Sequence, residues 1–296
     1  SVWQQAHLND EILRGHKSYW LKQFEGTLPV LNLTGNKDRP AIKTYNGAIT
    51  DKIITADLSR RFKFFCKQQG GTLFQGLLAA VNALLYKYTD QKDIIIGSPT
   101  AGRELTDLEN QIGLYVNTLA FRTRFKGEDS FYELFEVVKQ TALDAYEHQT
   151  YPFDALVSSL NIQRDVSRNV LFDVWMVLHN TEVSYNAEEQ NTEKLKIGRY
   201  AEAGKVISKF DLLFHFREMG DELGVSIEYN TDILSKRKAD ELGEQFEAIL
   251  TYVTKHPEML LCKMTNRLTE MEEETKNEHL RKIRVKNLVK LKNKGI

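Results

Sequence analysis

The stretch from Thr72 to Gly97 constrains the fold more than any other part of the sequence. Its first part, TLFQGLLAAVNALLYKY, has helix-forming residues and is apolar on nearly every face, which is typical of a helix buried in a large core. The second part, DIIIG, is a continuous β-branched run, as expected for a strand that is buried on both faces. Together they predict an α/β fold in which helices pack on a sheet.

The remaining periodicity predicts a fixed order of elements. The first 26 residues favour one or two helices, residues 27–48 an irregular surface segment, and residues 48–56 a strand. Helices follow at 57–69, with an N-terminal capping signal at Asp57, and at 72–88. A half-buried strand is expected at 116–125 and an amphipathic helix at 130–149, with a shorter helix beginning at Pro152.

Three strand-like runs and a closing helix complete the predicted domain. The runs are VLFDVWMVLHN, SKFDLLFHFRE and LGVSIEYNTDIL, and MGDE forms a turn between the last two. Residues 235–257 give the closing amphipathic helix, and 258–296 form a charged tail. Two connections, 103–117 and 182–207, are too long for tight turns. The whole order is that of a mixed β-sheet bearing helices.

Charge and cysteine usage exclude several function classes. A formal net charge of −1 argues against attraction of nucleic acid by the whole molecule. The sequence has no apolar run long enough for a membrane span and no secretory signal region, so a cytoplasmic protein is expected. Cys66 and Cys262 do not suggest a disulfide framework, and Cys66 is interpreted as a small buried residue. Spacings typical of metal sites, nucleotide loops and GxSxG hydrolases are lacking.

A set of segments in a fixed order carries a family resemblance. They are GSPTAGR at 97–103, NQIGLYVNTLAFR at 110–122, EHQTYPFDALV at 147–157 and RDVSRNVLFDVWMVLHN at 164–180. These resemble the successive late motifs of the condensation domains of nonribosomal peptide synthetases. Residues 31–48 resemble the extended segment that precedes those motifs, and KFDLLFHF with LGVSIEYNTDIL resembles the last hairpin of the family.

The resemblance implies the second lobe of a chloramphenicol acetyltransferase-like fold, in which two lobes enclose a tunnel. Carrier proteins dock upstream and downstream and present acyl, peptidyl or aminoacyl thioesters on 4′-phosphopantetheine, and the product is an amide. No cofactor is expected to bind the domain directly. The catalytic HHxxxDG motif of the family would lie before SVWQQ, and no two adjacent histidines occur in this chain. We therefore expect no catalytic residue here, a missing N-terminal lobe as partner, and no activity from this chain alone.

Three residues are candidates for the tunnel, and two more belong to a structural motif. Ser98 ends the buried strand, where its role is either chain reversal or the mouth of the tunnel. Asn117 is a polar residue in an apolar strand and either makes a structural hydrogen bond or lines the tunnel. His148 stands between two helices, where a cap or packing role competes with a site role. Arg164 and Asp165 open RDVSR and are interpreted as a pair that caps the loop, while Val170 replaces a proline that is frequent in the family.

The resemblance also divides the chain. Residues 1–257 would be the C-terminal half of a condensation domain and 258–296 a linker toward a further domain. Residues 103–117 would be a loop that forms the tunnel floor and 182–207 a latch, and both should project toward the first lobe. Two alternative functions remain: a non-catalytic module that binds carrier proteins, and an epimerisation or cyclisation relative. The IGLYVNT and RDVSR segments favour ordinary condensation.

Overall fold

A computed structural model describes residues 10–33, 37–103, 106–109, 111–179 and 206–274. The helices are α1 Asp10–Gln23, α2 Ala56–Gln68, α3 Leu73–Thr89, α4 Thr106–Glu109, α5 Phe131–Glu147, α6 Phe153–Ser159, α7 Lys236–Lys255 and α8 261–274. The strands are β1 Gly47–Ile54, β2 Asp93–Thr100, β3 Asn117–Arg124, β4 Val174–His179, β5 Leu212–Met219 and β6 Glu222–Asn230.

The strands form one mixed sheet in the order β1-β6-β5-β4-β2-β3. β4 pairs in parallel with both β2 and β5, while the pairs β1–β6, β5–β6 and β2–β3 are antiparallel. β5 and β6 form a hairpin whose turn contains Gly220 with a φ of 61°, a conformation that glycine adopts without steric cost. The predicted mixed sheet and the MGDE turn are confirmed.

Helix α3 is the centre of the hydrophobic core. A capping box fixes its start, because Thr72 accepts from the backbone of Gln75 and the Gln75 side chain accepts from Thr72 N–H. All residues from Gln75 to Tyr86 are buried. The helix packs between α2, α5 and α7, as its all-round apolar sequence predicts.

The two faces of the sheet are covered differently. On one face, Phe216 of β5 packs against Phe246 of α7, and Phe121 of β3 packs against Phe74 of α3. On the other face α1 covers β3, where Gln23 donates to the carbonyl of Arg122. His215 alternates with Phe216 along β5 and therefore lies on the face that points away from α7.

Strand β3 is more deeply buried than its sequence suggests. A half-buried strand was expected at 116–125, yet Leu119 to Thr123 are all buried. Both faces are covered because α3 and α5 pack on one side and α1, with the segment after it, packs on the other. The charged Arg122 is therefore an interior residue, 4% exposed.

The start of α2 also differs from expectation. The N-cap residue is Thr55, which makes no side-chain capping hydrogen bond. Asp57 lies in the first turn and forms an ion pair with Arg61 at 2.8 Å. The Asp57 carboxylate therefore stabilises the helix through the favourable helix dipole and the i,i+4 ion pair, and it does not cap the helix.

The packed domain extends beyond residue 257, the boundary that the sequence predicts. Helix α8 places Leu261, Met264 and Leu268 in the same hydrophobic core as α3 and α7. Glu272 of α8 accepts from the buried Lys87 at 2.5 Å. Residues 258–274 therefore belong to the domain and not to a solvated linker.

Candidate functional site

Three of the sequence motifs meet at one corner of the sheet. The corner consists of the end of β2, the start of β3 and the connection 148–153 between α5 and α6. Thr100 and Asn117 are directly opposite each other across the β2–β3 pair. The hydroxyl of Thr100 donates to the side-chain oxygen of Gln149, so GSPT, VNT and HQTYP are joined in space.

Asn117 holds this corner together. Its Nδ2 donates to the carbonyl oxygens of Gln149 and Tyr151, each at 2.8 Å. Its Oδ1 accepts from the backbone N–H of Phe153 at 3.3 Å. Both amide hydrogens of Asn117 are thus used by the connection between α5 and α6.

Ser98 lies two residues before Thr100 and is only 2% exposed. It is opposite Leu119 in β3. Its neighbour Gly97 faces the other way, where an added Cβ would come within 2.2 Å of the Phe172 ring. Only glycine therefore allows Phe172 to pack directly on β2.

His148 is the C-cap residue of α5 and packs against α1. Its ring stacks on Tyr19 with centroids 4.1 Å apart, and its Nδ1 is 2.8 Å from Nδ1 of His16. Its carbonyl accepts from the indole N–H of Trp20 at 2.9 Å. Burial, followed by the neighbouring His148, lowers the pKa of His16. His148 thus has the contacts of a cap and packing residue, which is one of its two predicted roles.

The RDVSR loop is capped by Asp165, but not through Arg164. Asp165 accepts from the backbone N–H and the hydroxyl of Ser167 at 2.8 and 2.7 Å, and these bonds lower its pKa. Its ion pair is with Arg168 at 3.7 Å. Arg164 is exposed and forms no ion pair with Asp165 among the described residues. The predicted Arg164–Asp165 pair is therefore replaced by Arg168–Asp165, two residues that lie three positions apart across a turn.

A network of buried charges, which the sequence motifs do not predict, lies behind this loop. Arg168 donates to Asp173 at 2.6 Å and to the carbonyl of Leu31 at 2.9 Å. Arg39 donates to both carboxylate oxygens of Asp211. The backbone N–H of Asp211 donates to the carbonyl of Asp173 at 2.9 Å. The network fixes the extended segment 37–46 and the starts of β4 and β5 to each other.

Burial is the largest influence on Asp211 and raises its pKa, despite the opposing ion pair with Arg39. A sequence signal for this network exists. Phe-Asp occurs at 172–173 and again at 210–211, each time directly before a strand. Phe172 and Phe210 stack with centroids 5.9 Å apart, so the repeated dipeptide marks one shared cluster.

Arg122 forms a second clamp that sequence reasoning missed. It donates to Asp93 at 2.7 and 2.9 Å and to the carbonyls of Gln23, Glu25 and Thr27 at 2.8 to 3.4 Å. These contacts hold the end of α1 and the chain after it against β3. All five donors of the guanidinium have acceptors within reach, which allows the charge to be buried.

The segment that corresponds to the expected tunnel floor is strongly exposed. Ile112, Leu114 and Val116 are 104%, 92% and 59% exposed. Arg103 donates to the carbonyl of Leu108 and lies over the Tyr115 ring at 4.4 Å. The apolar side chains of this segment thus point away from the core, as predicted for 103–117. The predicted latch, 182–207, lies outside the described residues except at its end.

Other candidate chemistry is limited. Cys66 is buried, as predicted, and burial raises the pKa of its thiol to about 12. Within the described ranges, no group of three or more histidine, cysteine or acidic side chains converges as metal ligands would. No helix in the part of the chain that the structure describes has the length and apolarity needed to cross a membrane.

Comparison with known proteins identifies relatives across nearly the whole chain. The family model for the condensation domain matches residues 1–275. The chain is 38% identical over 260 residues to bacitracin synthase 1 of Bacillus licheniformis, an alignment that covers 88% of this chain and 5% of that protein. It is 37% identical over 274 residues to gramicidin S synthase 2 of Aneurinibacillus migulanus, covering 93% and 6%. The chain thus spans only a small part of these relatives.

Solved structures share the fold at lower identity. A holo four-domain nonribosomal peptide synthetase bound to AMP and glycine superposes with a TM-score of 0.72 at 23% identity, covering 86% of this chain and 20% of that one. The X-domain from teicoplanin biosynthesis in its complex with OxyB gives a TM-score of 0.77 at 20% identity, covering 89% and 58%. The first condensation domain of the calcium-dependent antibiotic synthetase with a substrate analogue gives 0.68 at 16%, covering 88% and 55%.

Proposed function

The chain belongs to the condensation-domain family of nonribosomal peptide synthetases, and we propose that it forms one lobe of an enzyme that makes an amide bond. The family match over residues 1–275 carries this proposal. The structure adds support, because the GSPT, VNT and HQTYP motifs meet at one corner through the contacts of Thr100 and Asn117.

The proposed reaction joins two carrier-bound substrates. The amine of an aminoacyl thioester on a downstream carrier attacks the carbonyl carbon of an acyl or peptidyl thioester on an upstream carrier. The C–N bond forms as the C–S bond breaks, the 4′-phosphopantetheine thiol leaves, and the amine gives up a proton. Peptidyl carrier protein domains are therefore the proposed partners, and the chain itself holds no cofactor.

We propose that the proton acceptor comes from an HHxxxDG-bearing lobe. This sequence has no adjacent histidine pair. The ring contacts of His148 are those of a packing residue, because its Nδ1 is 2.8 Å from Nδ1 of His16 and its ring is stacked on Tyr19. The role of this chain is then positioning, which can contribute as much to rate as the base itself.

The exposed floor segment is the proposed contact with that lobe. Ile112, Leu114 and Val116 lie in the irregular segment before β3 and are all more than half exposed. Covering such apolar side chains contributes about 1.5 to 3 kcal/mol each when they are fully buried. A partner surface that covers them would bring the corner at Asn117 close to the HHxxxDG motif.

Complementation tests the proposed function. The chain is mixed with the HHxxxDG-bearing lobe of a relative and with loaded upstream and downstream carriers, and the condensed product is detected by mass on the downstream carrier. We expect product only when both lobes are present. Binding of the two lobes without any product would contradict amide formation.

Asn117→Ala should reduce the restored rate. Removing the amide leaves the carbonyls of Gln149 and Tyr151 without their donor, which costs about 1–3 kcal/mol of stability, and it loosens the corner. The rate and the melting temperature are measured together, because a positioning role predicts loss of both. An unchanged restored rate would show that the corner does not take part.

A non-catalytic binding module is the second candidate. It is favoured by one observation, the similarity of fold to an X-domain that was solved in a complex with OxyB. Under this alternative the chain would bind its protein partners, but adding the HHxxxDG-bearing lobe would yield no product. The same mass assay therefore separates the two functions.

A further inference from the structure

Two histidines on neighbouring strands meet head to head. Nε2 of His179 is 3.1 Å from Nδ1 of His215, the ring centroids are 5.4 Å apart, and the ring planes differ by only 16°. The distance between the ring centroids exceeds the distance between the two nitrogens by about the sum of the two ring radii. Both nitrogens therefore lie on the line that joins the ring centroids. The contact is therefore an in-plane N–H···N hydrogen bond and not a face-to-face stack.

The pair joins the end of β4 to the middle of β5. His179 is the last residue of β4, and in the parallel β4–β5 pairing His215 is opposite Val177. Both half-buried rings lie on the sheet face that points away from α7. The hydrogen bond crosses diagonally from one strand to the next and adds to the backbone pairing at the point where β4 ends.

This geometry accepts one added proton but not two. With both rings neutral, one nitrogen donates and the other accepts, and adding one proton to an outer nitrogen keeps that bond. When both rings are charged, every ring nitrogen carries a hydrogen, so two donors and two positive charges face each other. We propose that His179 and His215 form a pH-sensitive lock that fastens the end of β4 to β5 near neutral pH and opens when both rings are protonated.

The charged side chains around His179 and His215 disfavour the state in which both rings are protonated. Arg217 on β5 is opposite His179. On β6, Ser226 is opposite His215 and donates to Asp51 of β1. Glu228, two residues farther along β6, accepts hydrogen bonds from the Ser208 side chain and from the backbone of Lys209. Neither carboxylate therefore pairs with the two rings in this arrangement, and among the described residues the positive Arg217 is the charge that acts on both rings.

The direction of the pH effect follows from these contacts. Burial and then Arg217 lower the pKa of His179, while burial, His179 and Arg217 lower that of His215. A histidine whose folded-state pKa is lowered binds fewer protons when folded than when unfolded. The stabilisation is therefore complete above the unfolded value of about 6.5 and is lost as pH falls from there toward the folded pKa.

Hydrogen exchange of the whole chain tests the lock. The probe is the protection of the amides at 176–178 and 214–216, corrected for intrinsic exchange and compared with the amides of α3. Between about pH 7.5 and about pH 5.5 we expect protection at these strand positions to fall about tenfold in the wild type, because about pH 5.5 lies one pH unit below the unfolded histidine value of about 6.5. His179→Gln should abolish most of this fall, because glutamine keeps a hydrogen-bonding group but cannot become charged.

His256→Gln is the matched control, because His256 lies outside the sheet, at the end of α7, and its side chain is 53% exposed. It should leave the pH dependence at β4 and β5 unchanged. An equal pH dependence in wild type and His179→Gln would overturn the proposal. If His179→Gln does not fold, ring NMR of the wild type decides: two steps separated in pH support a shared pair, and two independent titrations near 6.5 overturn it.

Discussion

At the scale of single residues, a few polar side chains hold distant parts of the chain in place. Asn117 fixes the α5–α6 connection, Arg168 and Arg39 bind the buried Asp173 and Asp211, and Arg122 binds the end of α1. Each satisfies several backbone or carboxylate groups that would otherwise be buried without a partner, and such a loss is costly. These residues therefore fix elements that are far apart in the sequence, and Asn117 does so at the corner where the motifs meet.

Arg122→Ala should destabilise the domain strongly. The Arg122 side chain is 2% exposed, and its removal takes away the donor of the carbonyls of Gln23, Glu25 and Thr27, which typically costs about 1–3 kcal/mol for each group left buried without a partner. Arg124→Ala is the matched control, because Arg124 is 51% exposed and contacts the same carboxylate at 3.4 Å. Its loss should cost less than about 1 kcal/mol. Urea unfolding with unchanged m-values measures both, and equal costs would contradict the clamp.

Residue-level features were only partly predictable. Asn117 could be singled out because a polar residue in an apolar run must find partners. Its partners could not be named, since they depend on how α5 and α6 are joined. Arg122 carries no local signal, because its carbonyl acceptors lie 95 to 99 residues earlier and its carboxylate acceptor, Asp93, lies 29 residues earlier. Pairings of this kind are set by tertiary structure.

At the scale of elements, the sequence predicts best where one pattern dominates. Helix α3 could be recognised because it is apolar on nearly every face, and β2 because its β-branched residues are continuous. Helix α8 was missed because it carries four glutamates near its end, and this charge is also typical of a solvated tail. The three apolar positions that it buries are too few to outweigh this composition.

Met264→Ala should show that α8 is part of the fold. Met264 is 1% exposed, and truncating a buried methionine typically costs about 2–5 kcal/mol. Met271→Ala in the same helix is the control, because Met271 is 36% exposed and should cost under about 1 kcal/mol. The free energies of unfolding are compared for the two variants. Equal, small losses would mean that α8 contributes little to the core.

At the scale of the whole molecule, helices cover the two faces of the sheet unequally, and α1 covers β3 on the face away from α7. One face is covered by α2, α3, α5 and α7. The exposed floor segment projects away from this core. The family resemblance predicts the mixed sheet and the projecting floor segment, because the motifs fix the order of elements. It does not predict the corner contacts, which depend on how α5 and α6 are joined, or the His179–His215 pair, which arises from strand register.

The most direct test of the account is the rate of amide formation by this chain alone. The chain is incubated with loaded upstream and downstream carriers, and the condensed product on the downstream carrier is quantified by mass against a blank that contains carriers only. Without a positioned base, which typically contributes about 10² to 10⁴ in rate, and without a facing tunnel wall, we predict a rate equal to that of the blank. Product formed well above the blank by the chain alone would contradict the assignment of the base to an HHxxxDG-bearing lobe.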